Sequence, residues 1–345
     1  MKTSSLSKPS ICFLPKLEGH GGPASFQAKL CQGLAARGIE THHDPTRKDC
    51  AAILIIGGTR QLLDVWRARK RGVRIVERLD GMNWMHKVRK TGLKHYLRAE
   101  WYNLTLSFTR RNLADHIVYQ SQFSCDWWNS VYQPTRASVQ VIYNGVDLNA
   151  YSPNGKEKPP QNLVRILVIE ASFSGGYESG LENGVDFIVG LKQTVNQKVE
   201  LMITGNAPDQ LKEKANQKAG GLIRWIGWVP RVEIPAIDRS AHMLFSADIN
   251  AACPNSVVEA MACGLPVIGY STGSLPELVD GDAGRVVPYG SDFWKLEAAQ
   301  SSNLITAATE ILKRQPHFRK AARAGAEEHF GLEKMTKLYL QAFNL

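Results

Sequence analysis

The segment Asn250–Gly284 constrains the fold of this chain more than any other stretch of its 345 residues. A helix is predicted to begin near Ser256, which has with Glu259 the spacing of a capping box. The residues that follow are apolar on nearly all sides, which predicts a buried helix, and Gly264 with Pro266 predicts its end.

A short buried strand and a second turn follow this helix. Leu265–Tyr270 is the predicted strand, and the small residues Ser271–Ser274 form a turn that opens another helix at Leu275. Two helix N-termini that lie close together each present backbone N–H groups, so the segment predicts an anion site. The sequence therefore points first to a ligand that carries phosphate.

The rest of the chain alternates predicted strands and helices, which is the pattern of parallel sheets. The strand Ser10–Pro15, the glycine turn Gly19–Pro23 and the helix Ala24–Arg37 open the chain in the manner of a Rossmann unit. Ser152–Asn162 is rich in proline, glycine and charge, and the alternation restarts after it with a long glycine-rich loop predicted at Ser172–Gly184. We predict an α/β chain with Rossmann-like domains at 1–155 and 156–328.

Composition limits the class of protein. The chain is 43% hydrophobic, which is sufficient for two cores, yet no stretch has the length of a membrane span. Met1–Pro9 is polar and Ile11–Leu14 is too short for the core of a signal peptide, so we expect a cytoplasmic protein. The six cysteines are scattered without a CxxC pair, which predicts reduced structural cysteines and no metal site.

The net charge of +10 suggests an anionic partner. Lys and Arg concentrate in Arg67–Arg74 and His86–Arg98, and Trp101 and Tyr102 follow the second cluster. This second cluster resembles a basic amphipathic segment that could rest on the inner face of a membrane. A solvated helix face explains residues 87–98 equally well, and we expect no nucleic-acid partner.

The motif PNSVVEAMACGLPVIGYSTGSLPELV, beginning at Pro254, resembles that of a retaining glycosyltransferase of family four. A glycine pair near the N-terminus, VIYNGVD before the linker and IGWVP accompany it in the family's order along nearly the whole chain. The resemblance implies the GT-B fold, in which two Rossmann-like domains face each other across a cleft. It also implies that the C-terminal domain binds a nucleotide sugar, that the N-terminal domain binds the acceptor, and that the helix within 329–345 returns to the N-terminal domain.

The resemblance implies a donor site whose residues come from both domains. Glu259 would accept hydrogen bonds from the ribose hydroxyls, although a role limited to capping its helix stays open. The groups that would contact phosphate or sugar through the backbone are those of Gly21, Gly22, Asn255, Ser256 and Val257. Trp228 and Val229 would lie against the base, and Thr272 and Gly273 would lie in a loop near the donor.

This chain departs from the family pattern at charged positions. Ala251 stands where the family has a second glutamate, and Asn183 stands where it has a lysine that holds the diphosphate. No Arg or Lys occurs from Ala171 to Leu191. Because the leaving diphosphate gains negative charge in the transition state, helix N-termini and the amides of Gly175 and Gly176 would have to stabilise more of it.

A third departure concerns the loop after the strand that contains Val76. The family often has a histidine there, beside the reacting sugar, whereas this chain has Arg78-Leu79-Asp80-Gly81. We therefore take Asp80 as the candidate catalytic residue, with His86 nearby.

The first hypothesis is an enzyme that moves a sugar from a nucleotide diphosphate to an acceptor hydroxyl with retention and without a further cofactor. The acceptor would be a cell-surface polysaccharide or a lipid-linked glycan. A second hypothesis is a catalytically silent GT-B module that binds a nucleotide sugar, a glycan or a partner protein. A third is another GT-B enzyme, such as a nucleotide-sugar epimerase or a phosphorylase.

Overall fold

The computed structural model describes residues 9–19 and 21–345 and contains two six-stranded sheets whose paired strands are all parallel. The strands are β1 (Ser10–Leu14), β2 (Glu40–His42), β3 (Cys50–Ile56), β4 (Arg74–Leu79), β5 (His116–Tyr119), β6 (Ser138–Val141), β7 (Leu163–Ser172), β8 (Lys198–Asn206), β9 (Ile223–Gly227), β10 (Met243–Ser246), β11 (Val267–Tyr270) and β12 (Gly284–Val287). Their order is β2-β1-β3-β4-β5-β6 in one sheet and β12-β11-β10-β7-β8-β9 in the other. The predicted α/β class is confirmed, whereas the predicted polar segment Met1–Pro9 lies, except for Pro9, outside the described residues.

Helices connect these strands. They are α1 (Gly22–Ala35), α2 (Leu62–Lys70), α3 (Met85–Val88), α4 (Leu93–Asn112), α5 (Gln122–Tyr132), α6 (Glu178–Thr194), α7 (Asp209–Ala219), α8 (Ile234–Arg239), α9 (Asn255–Ala262), α10 (Leu275–Leu278), α11 (Ser302–Lys313), α12 (Gln315–His329) and α13 (Leu332–Phe343). The alternation of parallel strands and helices buries both faces of each sheet, which explains the continuous apolar runs of β3 and β7.

The chain forms two compact units. The first unit contains the chain up to Gly145 together with Leu332–Leu345, and the second unit is Val146–Gly331. The division falls at Gly145, ten residues before the end of the predicted domain 1–155, and the C-terminal segment joins the first unit from Leu332 rather than from residue 329.

Helix α13 completes the core of the first unit. Tyr339 lies buried with its ring centroid 5.3 Å from that of Phe26 in α1. Gly33 of α1 faces Thr336, and a β-carbon at Gly33 would overlap the Thr336 hydroxyl. The two helices therefore pack closely because α1 has no side chain at this position.

The glycine-rich segment that follows β7 differs from its prediction. The predicted loop Ser172–Gly184 is wrong, because α6 begins at Glu178. Gly180 lies against the carbonyl of Ala247, where a β-carbon would overlap the backbone, and Gly184 packs 3.2 Å from the ring of Phe245. These glycines permit a helix to approach the sheet closely, so they are packing residues and not turn residues.

One further boundary was predicted imprecisely, and three elements were not predicted. Arg78 and Leu79 belong to β4 instead of following it, so Asp80 is the first residue after the strand. The strands β2 and β12 and the helix α11 have no counterpart in the predictions. The two strands are short, with three and four residues, whereas α11 was missed although Leu304, Ala308 and Ile311 are buried in the core.

Candidate functional site

In the second unit, the turn before α10 is joined to the loop before α9. The backbone N–H of Ser274 donates to the carbonyl of Ala251 at 2.9 Å. Gly273 has φ +56°, and a β-carbon there would lie 2.6 Å from the Ala251 oxygen, so a glycine is required. The predicted proximity of the two helix starts is confirmed. Because α10 is a single turn of four residues, the capacity to bind an anion rests on α9.

Helix α9 begins two residues earlier than a capping box of Ser256 and Glu259 requires. Pro254 is the N-cap, no side chain caps the helix, and Ser256 is the second helical residue. The predicted capping box of Ser256 and Glu259 is therefore wrong. The N–H of Val258 makes the first bond along the helix, to Pro254 at 3.4 Å, so the amides of Asn255, Ser256 and Val257 precede the ladder. Asn255 and Ser256 are half-exposed.

Glu259 lies on α9 within a group of buried polar residues. Glu259 is 8% exposed, and it interacts electrostatically with the fully buried Asp238 of α8. Burial, and then the negative charge of Glu259, raise the pKa of Asp238 well above its usual range. Burial thus favours the protonated form of Asp238. The carboxyl oxygens of Glu259 can accept hydrogen bonds from hydroxyl groups.

The loop between β7 and α6 uses one of its amides internally. Gly175 and Gly176 both have positive φ, and the N–H of Gly176 donates to Glu178 Oε2 at 2.9 Å. Asn183, placed by sequence at the lysine position, is buried in α6, and its Nδ2 donates to Tyr289 Oη at 3.2 Å. That Gly175, Gly176 and Asn183 bind a donor diphosphate remains a prediction.

Two carboxylates that sequence reasoning missed lie at the ends of neighbouring strands. Glu170 lies near the carboxyl end of β7, and Asp248 follows β10, which pairs with β7. Burial, and then the charge of Asp248, raise the pKa of Glu170 well above its usual range, and burial raises the pKa of Asp248 to about 7. The sequence signal that could have identified Glu170 and Asp248 is an acidic residue directly after a buried apolar run. Within the described ranges, no group of three or more His, Cys, Asp or Glu residues could hold a metal ion.

Trp228 and Val229 follow β9, at the carboxyl end of an edge strand of the second sheet. The Trp228 side chain is 49% exposed and Val229 is half-buried. An exposed indole at this edge offers a flat apolar surface on which an aromatic base could stack.

In the first unit, the glycine pair lies at the start of α1. Gly21 is the N-cap, Gly22 is the first helical residue, and no side chain caps the helix. Arg78, only 2% exposed, places its guanidinium 3.7 Å from the ring centroid of Phe26 and donates from Nη2 to Asn144 Oδ1 at 2.9 Å. Its Nε and Nη1 have no hydrogen-bond partner. This buried cation was not predicted, because sequence placed Arg78 in a loop.

Asp80 is held by its backbone directly after β4. Its carbonyl accepts from Ser124 Oγ at 2.9 Å and from Trp128 Nε1 at 2.7 Å. Burial raises the pKa of its carboxyl, while the nearby charge of Arg78 lowers it by less. His86 is buried in α3, with Nε2 2.6 Å from Glu100 Oε1. The backbone of Asp80 is thus fixed by the fold, and its catalytic role stays a prediction.

Comparison with known proteins adds independent information. Residues 171–306 match the family model described as glycosyl transferases group 1. A Klebsiella pneumoniae protein described as an uncharacterized 41.2 kDa protein in the cps region is 24% identical over 237 residues, covering 66% of this chain and 63% of that protein. O-antigen chain mannosyltransferase B of Escherichia coli is 36% identical over 77 residues, covering 22% of this chain and 19% of that protein. The chain thus spans less than two thirds of the length of these curated relatives.

A solved structure matches over nearly the full chain. Anabaena Alr3699/HepE in complex with UDP-glucose superposes with a TM-score of 0.67 at 14% identity, covering 97% of this chain and 99% of that one. At 14% sequence identity, this structural similarity shows that the two chains share a fold and shows nothing about a shared activity.

Proposed function

We propose that this chain, whose residues 171–306 match the group 1 glycosyl transferases and whose fold is that of Anabaena HepE, transfers a sugar from a nucleotide diphosphate to an acceptor hydroxyl. The hydrogen bond between Ser274 and Ala251 carries the proposal, because it brings two loops of the predicted donor site together in the second unit. The matched segment 171–306 contains both loops.

The donor would be held by backbone amides and one carboxylate. In this proposal the amides of Ser256 and Val257 in the first turn of α9 bind the distal phosphate, since they precede the first bond of the helix ladder. Glu259 accepts hydrogen bonds from the ribose hydroxyls through its carboxyl oxygens. Trp228 stacks on the base.

The reaction would proceed with retention at the anomeric carbon. The bond between that carbon and the diphosphate oxygen breaks, and the acceptor oxygen attacks from the face that the diphosphate leaves. The acceptor proton passes to the departing diphosphate, so no protein nucleophile is needed. The amides at the start of α9 stabilise the negative charge that develops on the diphosphate.

Relatives suggest which substrates to examine first. UDP-sugars are the first donors to test, because Anabaena HepE was solved with UDP-glucose. A polysaccharide or a lipid-linked glycan is the acceptor class that we propose, in keeping with the O-antigen mannosyltransferase of Escherichia coli.

A screen of donors tests this function. Thermal shift with UDP, GDP, ADP, TDP and CMP sugars should identify one base that raises the melting temperature. The selected donor is then incubated with the protein, and NMR of the released or transferred sugar reports turnover and anomeric configuration. An inverted product would refute retention, and the absence of any donor-dependent stabilisation would refute the donor site.

A second candidate, a GT-B module that binds its ligand without turnover, is favoured by the contact between Gly176 and Glu178. In this interpretation the Glu178 carboxylate accepts the hydrogen bond of the Gly176 N–H, which is then not available to a diphosphate. Glu178→Gln separates the two candidates, because it removes the competing negative charge. If the site is active, donor affinity should rise about threefold to tenfold, as expected for one charge-assisted hydrogen bond. Tight binding without release of sugar, in both proteins, would support the silent module.

A further inference from the structure

Helix α4 of the first unit exposes a stripe of large apolar side chains. The stripe consists of Leu93, Leu97, Trp101, Leu104 and Phe108. These residues are spaced three or four positions apart, so they share one face of the helix. Each is between 50 and 75% exposed. A run of this length exceeds the scattered apolar residues of an ordinary protein surface.

The stripe is not the face by which α4 packs into the first unit. The buried residues of α4 are Ala99, Asn103, Leu106, Ser107, Thr109 and Arg110. Asn103 also fixes the start of α3, because its side chain accepts from the N–H of Asn83 at 3.0 Å and donates to the Asn83 carbonyl at 2.8 Å. Because one face already anchors the helix, the exposed stripe is available to something outside the unit.

Basic residues surround the stripe. Residues 85–112 place Lys87, Arg89, Lys90, Lys94, Arg98 and Arg111 at the surface, against the single acidic residue Glu100, whereas Arg110 is fully buried. Glu100 is paired internally, with Oε1 2.6 Å from His86 Nε2 and 3.1 Å from Lys87 Nζ. The surface around the stripe therefore carries a strong positive charge.

A groove adjoins the C-terminal half of the stripe within the first unit. Its volume is about 910 Å³. Its lining includes Trp101, Leu104, Phe108, Leu62, Arg111 and Arg136. The lining also includes Thr105, Ser107, Asn112 and Thr135, so the walls are apolar and polar in similar measure. The apolar side chains could contact an acyl chain, and the two guanidinium groups could contact a lipid phosphate.

We propose that the stripe of α4 and its basic surroundings dock this protein on a bilayer that contains anionic phospholipids. The leucine and aromatic side chains enter the boundary between head groups and acyl chains, and the lysines and arginines contact lipid phosphates. Aromatic side chains such as those of Trp101 and Phe108 are typical of helices that lie at the boundary between head groups and acyl chains. A second copy of the chain fits less well, because two such surfaces would bring like charges together.

The docking would be peripheral and independent of the proposed transfer reaction. In the part of the chain that the structure describes, no helix has both the length and the apolar character needed to cross a bilayer. Since the stripe lies in the first unit, whereas α9 and Glu259 lie in the second, loss of docking should leave donor binding unchanged.

Co-sedimentation of the full chain with vesicles tests the proposal. We expect binding to vesicles of phosphatidylglycerol and phosphatidylcholine, at least tenfold weaker binding to pure phosphatidylcholine, and a steep decrease with salt. Leu97→Ser combined with Trp101→Ser should weaken binding at least tenfold, and Lys94→Glu with Arg98→Glu should do the same. Val131→Ser, which changes an exposed apolar residue of α5, is the matched control and should have no effect.

The outcomes are distinct. Absence of wild-type binding, equal binding to both vesicle types, or equal binding by the stripe variant and the Val131 control would overturn the proposal. Dimerisation that the stripe variant abolishes, with no vesicle binding, would assign the surface to a second copy instead. Circular dichroism and donor-induced thermal shift should be unchanged in every variant, which separates docking from folding and from the proposed transfer.

Discussion

The N–H of Ser274 and the carbonyl of Ala251 form a hydrogen bond of 2.9 Å that joins two turns 23 positions apart in the chain. Gly273 rests on the backbone of Asn250 and Ala251 with no room for a β-carbon. Consequently the loop that precedes α9 and the loop that contains Thr272 form one surface of the second unit. Both loops lie within the segment 171–306 that matches the family model.

Glu259→Gln should weaken donor binding without unfolding the protein. The residue does not cap its helix, so the melting temperature should change little, whereas loss of a charged acceptor for ribose hydroxyls should cost about 1.5–3 kcal/mol. Calorimetric titration with the donor nucleotide measures this as an affinity loss of roughly tenfold to 150-fold. Unchanged affinity would remove Glu259 from the donor site.

Asp80→Asn should lower turnover and leave donor affinity nearly intact. The fold contacts Asp80 through its carbonyl, which Asn retains, so Ser124 and Trp128 keep their acceptor. Loss of a carboxylate at the reacting sugar should reduce kcat by roughly 10²-fold or more. Steady-state kinetics and thermal melting check this together. Normal turnover would exclude Asp80 from catalysis.

Asp248→Asn should change how stability depends on pH. Burial raises the pKa of Asp248 to about 7 from 3.8, so the folded state prefers the protonated acid, and this stabilisation is lost as the pH rises from about 4 to about 7. The variant should match the wild type near pH 4. It should be more stable at pH 8 by about 1–2 kcal/mol, a value reduced for the partial exposure of the side chain.

Thermal melting at pH 4, 6 and 8 measures the effect of Asp248→Asn. The control is Asp209→Asn, which removes an exposed carboxylate from α7. Parallel pH profiles for wild type and the Asp248 variant would contradict the prediction.

Gly33→Ala should destabilise the first unit. The new β-carbon would overlap Thr336 Oγ1 and approach the β-carbon of Thr336 to 3.1 Å, which overrides the higher helix propensity of alanine. We expect a net loss of about 1–3 kcal/mol, measured by denaturant unfolding. Gly325→Ala in α12 meets only the end of the Met261 side chain and should be neutral or stabilising.

A second substitution tests the mechanism of this loss. Gly33→Ala combined with Thr336→Ala should be less destabilised than the sum of the two single variants, because the smaller side chain removes the overlap. Additive losses would show that α1 and α13 are not coupled at this contact.

Local pattern was enough to predict most of the architecture. The apolar runs Ser10–Pro15 and Leu265–Tyr270 identified β1 and β11 to within about two residues, and the helix predicted within 329–345 is α13. Such elements are specified by residues that are neighbours in sequence, through periodicity and helix-ending glycines. For the same reason the segment 250–284 identified the two helix starts and their turn.

The tertiary structure decided what depends on residues far apart in the chain. Gly180 of α6 lies against the Ala247 carbonyl, where a β-carbon would overlap the backbone, and no local pattern reveals this contact. The raised pKa values of Asp248 and Asp238 likewise arise from burial, and that of Asp238 also from the charge of Glu259 on a neighbouring helix. The sequence by itself determined the two parallel sheets and the family-like segment. Folding determined which carboxylates are ionised and which amides are already bonded, because desolvation and hydrogen bonding are set by three-dimensional neighbours.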